Sequence, residues 1–384
     1  MQQRAIVLRR AKCLLLYWRD GQLFFHNFAT RSTVAGRPVT CEVLHFFDTW
    51  RTRKLAITHL ANYSQRSVRL ALTQLVKHRL LLRKDSPEVM QDTRIAKGWS
   101  AWLPEGSFHF STKDAPYVDR SSWSLDKLKA AMPKTPQPRI LKTVKEAAKV
   151  SLPRCVFPNS EFVRVLMTRK THRRFSKQKL PLETVSQLLS LVWGVSGYLY
   201  SPRFGRLLHK TSPSAGARHP VEVYLMALRV EGLRPGLYHY HPAYHRLEMI
   251  RANATREKAW LYCARQNFTK NAGALFLMTA MFQRTMWKYQ IARAYRVVLL
   301  DAGHLCQTFY LAATWLGLAP FCTAALKDTL IEKDLGIDGV RESVLYVAGV
   351  GLPATSEQVT QQFSRNVDHH AVSPNMGEVL EVHS

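Results

Sequence analysis

Residues 293–318 contain three blocks: Arg293-Ala-Tyr-Arg296, Leu300-Asp-Ala-Gly-His-Leu-Cys-Gln307 and Leu311-Ala-Ala-Thr-Trp-Leu-Gly-Leu318. The wider run 297–326 is the most apolar in the chain, yet it holds Asp301, His304 and Gln307. Three polar groups in one membrane helix would be costly, so the run is expected as a buried core helix over about 289–316. Apolar strands are expected around it, at 273–282 before and at 321–326 and 343–350 after. Gly317, and the glycines of Ala348-Gly-Val-Gly-Leu-Pro353, allow tight turns where these elements end.

Working toward the N-terminus, the pattern from Ser160 is α+β. A short helix is expected at 162–167 and an amphipathic one at 181–193, with Leu182, Val185, Leu188, Leu189 and Val192 on one face. A strand at 221–228 precedes a hairpin of 236–240 with 246–250. A helix follows at 254–266, with Asn253 as its N-cap. Residues 87–158 are expected as irregular linker, broken by Pro104, Pro116, Pro133, Pro136, Pro138, Pro153 and Pro158, with one helix at 124–132. Residues 1–86 show another order. A hairpin turns at Asp20-Gly21, and helices follow at 39–50, 55–60 and 65–78, the last capped by Ser64, before a strand at 80–84. Helix, short helix, longer helix, strand is the winged-helix order. It fits DNA binding through Gln65, Arg66 and Arg69, docking of an extended peptide at the sheet edge, or an inert packing unit.

The chain has 384 residues and is 46% hydrophobic, enough for two or three domains with real cores. Lys and Arg number 55 against 27 Asp and Glu, a formal +28. The excess is spread out, with 27 basic and 11 acidic groups in 1–150 and 28 and 16 in 151–384. That balance suggests an anionic partner such as nucleic acid, a membrane surface, an acidic peptide or a phosphorylated cofactor. The six cysteines include no closely spaced pair, so no structural zinc site is expected, and they read as reduced thiols of a cytoplasmic protein. The N-terminus has no signal-peptide pattern.

Four clusters bear chemistry. Arg169-Lys-Thr-His-Arg-Arg-Phe175 gathers cations and a hydroxyl suited to a phosphate. Ser212-Pro-Ser-Ala-Gly-Ala-Arg-His-Pro220 is built of small residues that let backbone approach a flat ring. Lys288 beside Tyr289 forms an acid/base unit, because a neighbouring ammonium favours tyrosinate. The glycines at 317, 349 and 351 complete the set. Each cluster alone is ordinary: a basic loop, a turn, a solvated lysine beside a packed tyrosine.

Their order and flanking residues, with Gly236-Leu-Tyr-His-Tyr240 and the blocks at 293–318, resemble the nitroreductase-like flavoproteins. The likeness is to the SagB/ThcOx-type branch found in peptide-modifying clusters and covers about 161–353. It implies an α+β fold in which a central, antiparallel-rich sheet is flanked by helices, behind a winged-helix-like domain. It also implies FMN bound without covalent attachment in a homodimer. By motif, Arg169, Lys170, Thr171 and Arg173 would contact the phosphate, ribityl chain or ring edge of FMN. Pro213, Ser214, Ala215 and Gly216 would lie along the ring, Thr323 and Ala324 would line it, and Arg365 would reach the phosphate. Lys288 and Tyr289 match the catalytic pair of azoline-oxidising relatives. Two departures stand out: Lys170-Thr171 where the branch has Arg-Ser, and Gln290 where Gly is common.

The implied function is an FMN-dependent dehydrogenase of a ribosomally made peptide, oxidising azoline to azole. Its partners would be the precursor, docked on residues 1–86, and a cyclodehydratase-type protein. The rival readings are an NAD(P)H-dependent reductase of a small molecule and a winged-helix DNA-binding flavin regulator.

Overall fold

The computed structural model describes residues 6–354, apart from 120–122, 132–134, 136–137, 143–147 and 154. Its first domain begins with β1 (Val7–Arg10), β2 (Leu14–Arg19), β3 (Gln22–Asn27) and β4 (Ser32–Gly36). The Asp20-Gly21 turn has positive φ at both residues, 52° and 72°, the primed geometry that matches strand twist. It sets Leu14 opposite Asn27 and Arg19 opposite Gln22. The sheet runs β2-β3-β4, which among the described residues leaves one edge of β4 unpaired. α1 (Val39–Phe46), β5 (Arg51–Thr52), α2 (Arg53–His59), α3 (Gln65–Lys77) and β6 (Leu81–Arg83) follow, so the expected helix–helix–helix–strand order is present. Ser64 caps α3 by accepting from Ser67 N–H. Val68, Leu72 and Leu75 of α3 pack on Phe25, Val43 and Phe47.

The expected linker is the first correction. Residues 88–112 fold into α4 (Glu88–Gly98), a 3₁₀ turn over Ser100–Trp102 and α5 (Leu103–Thr112). They are structured because of what they touch. Ile95, Trp99, Trp102 and Phe110 form one core with Cys13 and Phe28 of the first domain and with Phe282, Tyr295 and Val298 of the second. Asp92 is almost fully buried. It pairs with Arg9 at 2.6 Å and accepts the N–H groups of Lys12 and Cys13. The Trp99 indole donates to Val340 C=O at 2.9 Å, and Lys113 meets Glu332 at 2.6 Å. The prolines at 87, 104 and 116 lie at or near the ends of these helices, where proline is tolerated. Beyond them the described residues up to α7 hold one short helix, α6 (Leu125–Ala130).

The second domain contains α7 (Glu161–Thr168), α8 (Leu182–Trp193) and a hairpin of β7 (Gly197–Ser201) and β8 (Gly205–His209). β9 (Val221–Ala227), β10 (Gly236–His241), β11 (Arg246–Ala252) and α9 (Arg256–Tyr262) come next. β12 (Ala274–Met281), α10 (Phe282–Met286), α11 (Ala294–Trp315), β13 (Ala319–Thr323), α12 (Asp328–Leu335) and β14 (Glu342–Gly351) complete it. Six strands form one antiparallel sheet, in the order β11-β10-β9-β12-β14-β13. On the central strand, Ala274, Phe276 and Met278 face α8 and α11, while Leu275 and Leu277 face α9 and α12. Period-two alternation with both faces covered explains its unbroken apolar sequence.

Two boundaries differ from expectation. The long helix begins at Ala294, so Tyr289 precedes it. The helix after β11 is capped by Thr255, which accepts from Lys258 N–H at 3.1 Å. Asn253 has φ 64° and spends its own N–H on Pro235 C=O, so it closes the sheet instead. Among the described residues, no helix is long and apolar enough to cross a membrane. α11 buries Val298, Ala302, Leu305 and Phe309.

Trp99→Ala removes a fully buried indole from the core shared by both domains. We expect a loss of about 3–5 kcal/mol in urea unfolding. We also expect the two domains to unfold at separate midpoints in the variant and at a single midpoint in the native chain.

Candidate active site

The Ser212–Pro220 loop is fastened to α11 at two points. Ser212 Oγ lies 2.6 Å from Thr308 Oγ1. Ser214 donates its hydroxyl to Asp301 Oδ2 at 2.5 Å and accepts His219 N–H at 2.9 Å. Asp301 is 4% exposed. Burial pushes its carboxyl above the usual range, opposed by the bonds from Ser214 and from Ala215 N–H. So fastened, the loop adopts positive φ at Gly216 (60°), Ala217 (52°) and His219 (43°). Two non-glycine residues in that region within one loop store strain, which the surroundings must offset.

Gly216 is where the second cluster arrives. A β-carbon there would overlap Lys288 Nζ and lie 2.6 Å from the Tyr289 hydroxyl. Both side chains therefore converge on this backbone although successive helical residues diverge. They do so because they stand in the turn after α10, each with its N–H on Thr285 C=O, at 3.1 and 2.9 Å. Tyr289 C=O accepts the Trp102 indole N–H at 3.0 Å, so the α4–α5 segment braces the turn from behind. The Lys288 ammonium lies 4.7 Å from the Phe204 ring and 5.3 Å from the Tyr289 ring. The Arg218 guanidinium lies 5.4 Å from Phe204 and 5.5 Å from Trp287. Phe204, Arg218 and Trp287 wall a cleft of about 560 Å³. A neighbouring cavity of about 420 Å³ reaches Lys210, Glu222 and His239. Hydrogen bonds to Glu222 and Glu248 raise His239, and burial lowers Lys210.

The arginine motif lies toward the other end of α11. Thr171 Oγ1 bonds the Tyr310 hydroxyl at 2.9 Å, and Arg169 stacks 5.3 Å from that ring. His172 N–H donates to Pro320 C=O at 2.8 Å, which lays the segment beside β13. Arg169 and Lys170 are half-buried and Arg173 is exposed. Among the described residues no carboxylate pairs with these three cations. Asp301 and Tyr310 are nine residues apart on one helix, roughly 13 Å by its rise. Cations without a carboxylate partner among the described residues at one end, and a loop of the small residues Ser214, Ala215, Gly216 and Ala217 at the other, suit a phosphate joined to a flat ring. On these grounds the residues present fit FMN.

Thr323 is buried and its hydroxyl is engaged, donating to Gln266 Oε1 at 2.7 Å and accepting Ala325 N–H. Ala324 is exposed just beyond β13. Pro213 is exposed, and Ala215 opens the strained turn. Arg365 lies outside the described residues. Reading the sequence misses Asp301 as an anchor, Trp102 as a brace, Tyr310 as the support of Thr171, and the Phe204 hairpin. A carboxylate on an otherwise apolar helix face was the available sign for the first.

Gly216→Ala places a methyl group at positive φ against both side chains. The backbone cost is about 1–2 kcal/mol. The cofactor and peptide chemistry proposed below should fall at least tenfold, with far-ultraviolet dichroism unchanged. Native activity in this variant would dissociate the loop from the Lys288–Tyr289 pair.

Residues 166–352 match the nitroreductase family. Over 190 residues the chain is 31% identical to a nitroreductase-family protein of Methanocaldococcus jannaschii, covering 49% of this chain and 88% of that protein. It is 32% identical over 171 residues to the trifolitoxin-processing protein of Rhizobium leguminosarum bv. trifolii, covering 44% of this chain and 46% of that one. Identity to the microcin B17-processing protein of Escherichia coli is 29%, covering 42% and 58%. The chain thus spans about half the length of these two processing proteins. A solved microcin synthetase complex of E. coli with truncated pro-peptide bound aligns over 69% of this chain and 92% of its own, at 21% identity and a TM-score of 0.44.

Proposed function

Because the chain belongs to the nitroreductase family, we propose that it is an FMN-dependent dehydrogenase that oxidises an azoline ring in a ribosomally made peptide to an azole. The observation that carries this reading is the meeting of Lys288 and Tyr289 at the backbone of Gly216. A reductase fed by a nicotinamide cofactor needs no such pair, whereas aromatising an azoline requires a base for one proton. Similarity to two peptide-processing proteins supports the substrate class.

Arg169, Lys170, Thr171 and Arg173 would hold the FMN phosphate and ribityl chain, and residues 213–216 would lie along the ring. Bound FMN supplies a two-electron acceptor at N5 for the hydride. Tyr289 takes the ring proton, and the Lys288 ammonium stabilises the tyrosinate that does so. α11 leaves Leu299, Leu300 and Trp315 exposed, and α7 leaves Phe162 and Met167 exposed. A second copy would cover these faces, so FMN-loaded protein should sediment as a dimer.

The purified protein should show an oxidised-flavin spectrum and release FMN on heating. On an azoline peptide, Tyr289→Phe and Lys288→Ala should each lower kcat about 10²–10⁴-fold while the flavin stays bound. Unchanged azole formation in both would sink the base assignment. Turnover of NAD(P)H with a nitroaromatic, and none of the peptide, would favour the small-molecule reductase.

Residues 1–86 supply the means to hold such a substrate. A cavity of about 310 Å³ lies between the unpaired edge of β4 and α3, lined by Val34, Gly36, Val39, Leu60, Val68 and Leu72. An open edge beside an apolar groove accepts an extended segment as a further strand. These residues include 16 basic and 4 acidic groups, so an acidic leader is the favoured occupant. Val34→Glu should weaken binding of a fluorescein-labelled acidic leader at least tenfold by anisotropy. It should leave oxidation of a leaderless azoline fragment unchanged. Equal leader affinity in the variant would remove the groove from the mechanism.

A further inference from the structure

Cys306 on α11 and Cys322 on β13 place their sulfurs 2.7 Å apart, and both are free thiols. A disulfide bond is ~2.05 Å, so the two sulfurs are unbonded and adjacent. The proposed chemistry uses neither. Both are fixed in place, Cys306 in the core under the sheet and Cys322 opposite Ala348 in the ladder. Their surroundings make them unequal. Hydrogen bonds from Cys322 and Tyr346 hold Cys306 below the ordinary thiol range against the effect of burial. Burial and the adjacent Cys306 push Cys322 far above it. One sulfur is therefore a nucleophile and the other retains its proton.

We propose that Cys306 and Cys322 form an oxidisable pair that reduces hydrogen peroxide and closes to an intramolecular disulfide. The Cys306 thiolate attacks one peroxide oxygen, the O–O bond breaks, and the departing hydroxide takes up a proton. Cys306 is then a sulfenic acid. The Cys322 sulfur attacks it, the S–O bond breaks, and the oxygen leaves as water with the Cys322 proton. Two thiols and one peroxide become one disulfide and two waters.

The test treats the full chain with hydrogen peroxide, quenches in acid and measures its mass without reductant. Loss of two hydrogens, a tryptic species joining Cys306 to Cys322, and reversal by dithiothreitol are expected. Cys306→Ser and Cys322→Ser should each abolish the joined species. Oxygen addition at Cys306 without joining, or no change in mass, overturns the pair.

Discussion

The buried carboxylate of Asp301 is the constraint on which the site depends. It stands on a helix that is otherwise apolar toward the sheet, and a carboxylate in such a place is tolerated only if its lone pairs are filled. Ser214 and Ala215 fill them. The requirement works in both directions. The helix obtains partners for its buried oxygen atoms, and the loop is drawn down onto the helix. Drawn there, the chain can complete its turn only through the left-handed region, and Gly216 comes to lie beneath Lys288 and Tyr289. Thr308, two turns further along, repeats the fastening through Ser212. The meeting of the loop with Lys288 and Tyr289 is thus a consequence of where a helix places one acid and one hydroxyl.

The other half of that meeting is set by the segment that looked least structured. The turn carrying Lys288 and Tyr289 has little regular structure of its own. It is held by the Trp102 indole, and Trp102 is held by a cluster drawing on both domains. The first domain is therefore packed continuously with the turn that carries Lys288 and Tyr289. The groove beside β4 and that turn belong to one packed body. The aromatic core at Trp99 joins them.

Much of the second domain was legible because its signals are local. Central strands are apolar runs and α8 has a single wide stripe, as in the first domain Asp20-Gly21 demands its turn. What failed to read was structure supplied by distant contact. α4 has a weak stripe and three prolines nearby, and nothing within 88–112 says that Trp99 will find Val340. Asn253 is a good cap by composition. It is pre-empted because its backbone stands at φ 64°, outside the extended region an N-cap adopts, which leaves the role to Thr255 two residues on, at φ −123°. The start of α11 shifted to Ala294 for a related reason. Residues 287–293 are helix-compatible by type, but the bonds to Thr285 and Trp102 fix them as a turn.

The site was legible as a set of pieces and not as a geometry. Lys288 beside Tyr289 reads as a pair, yet in a regular helix the two would point about 100° apart and share no target. Only a turn lets both reach one glycine, and only a loop tied to α11 puts that glycine within reach. The same logic separates the cofactor-binding candidates. Thr171 is supported by Tyr310 and stays at the exposed end of the cation cluster, where a phosphate can meet it. Thr323, equally plausible as a hydroxyl, has given its proton to Gln266 and accepts from Ala325. A residue type suggests what a side chain can do, and its committed hydrogen bonds decide what remains for it to do.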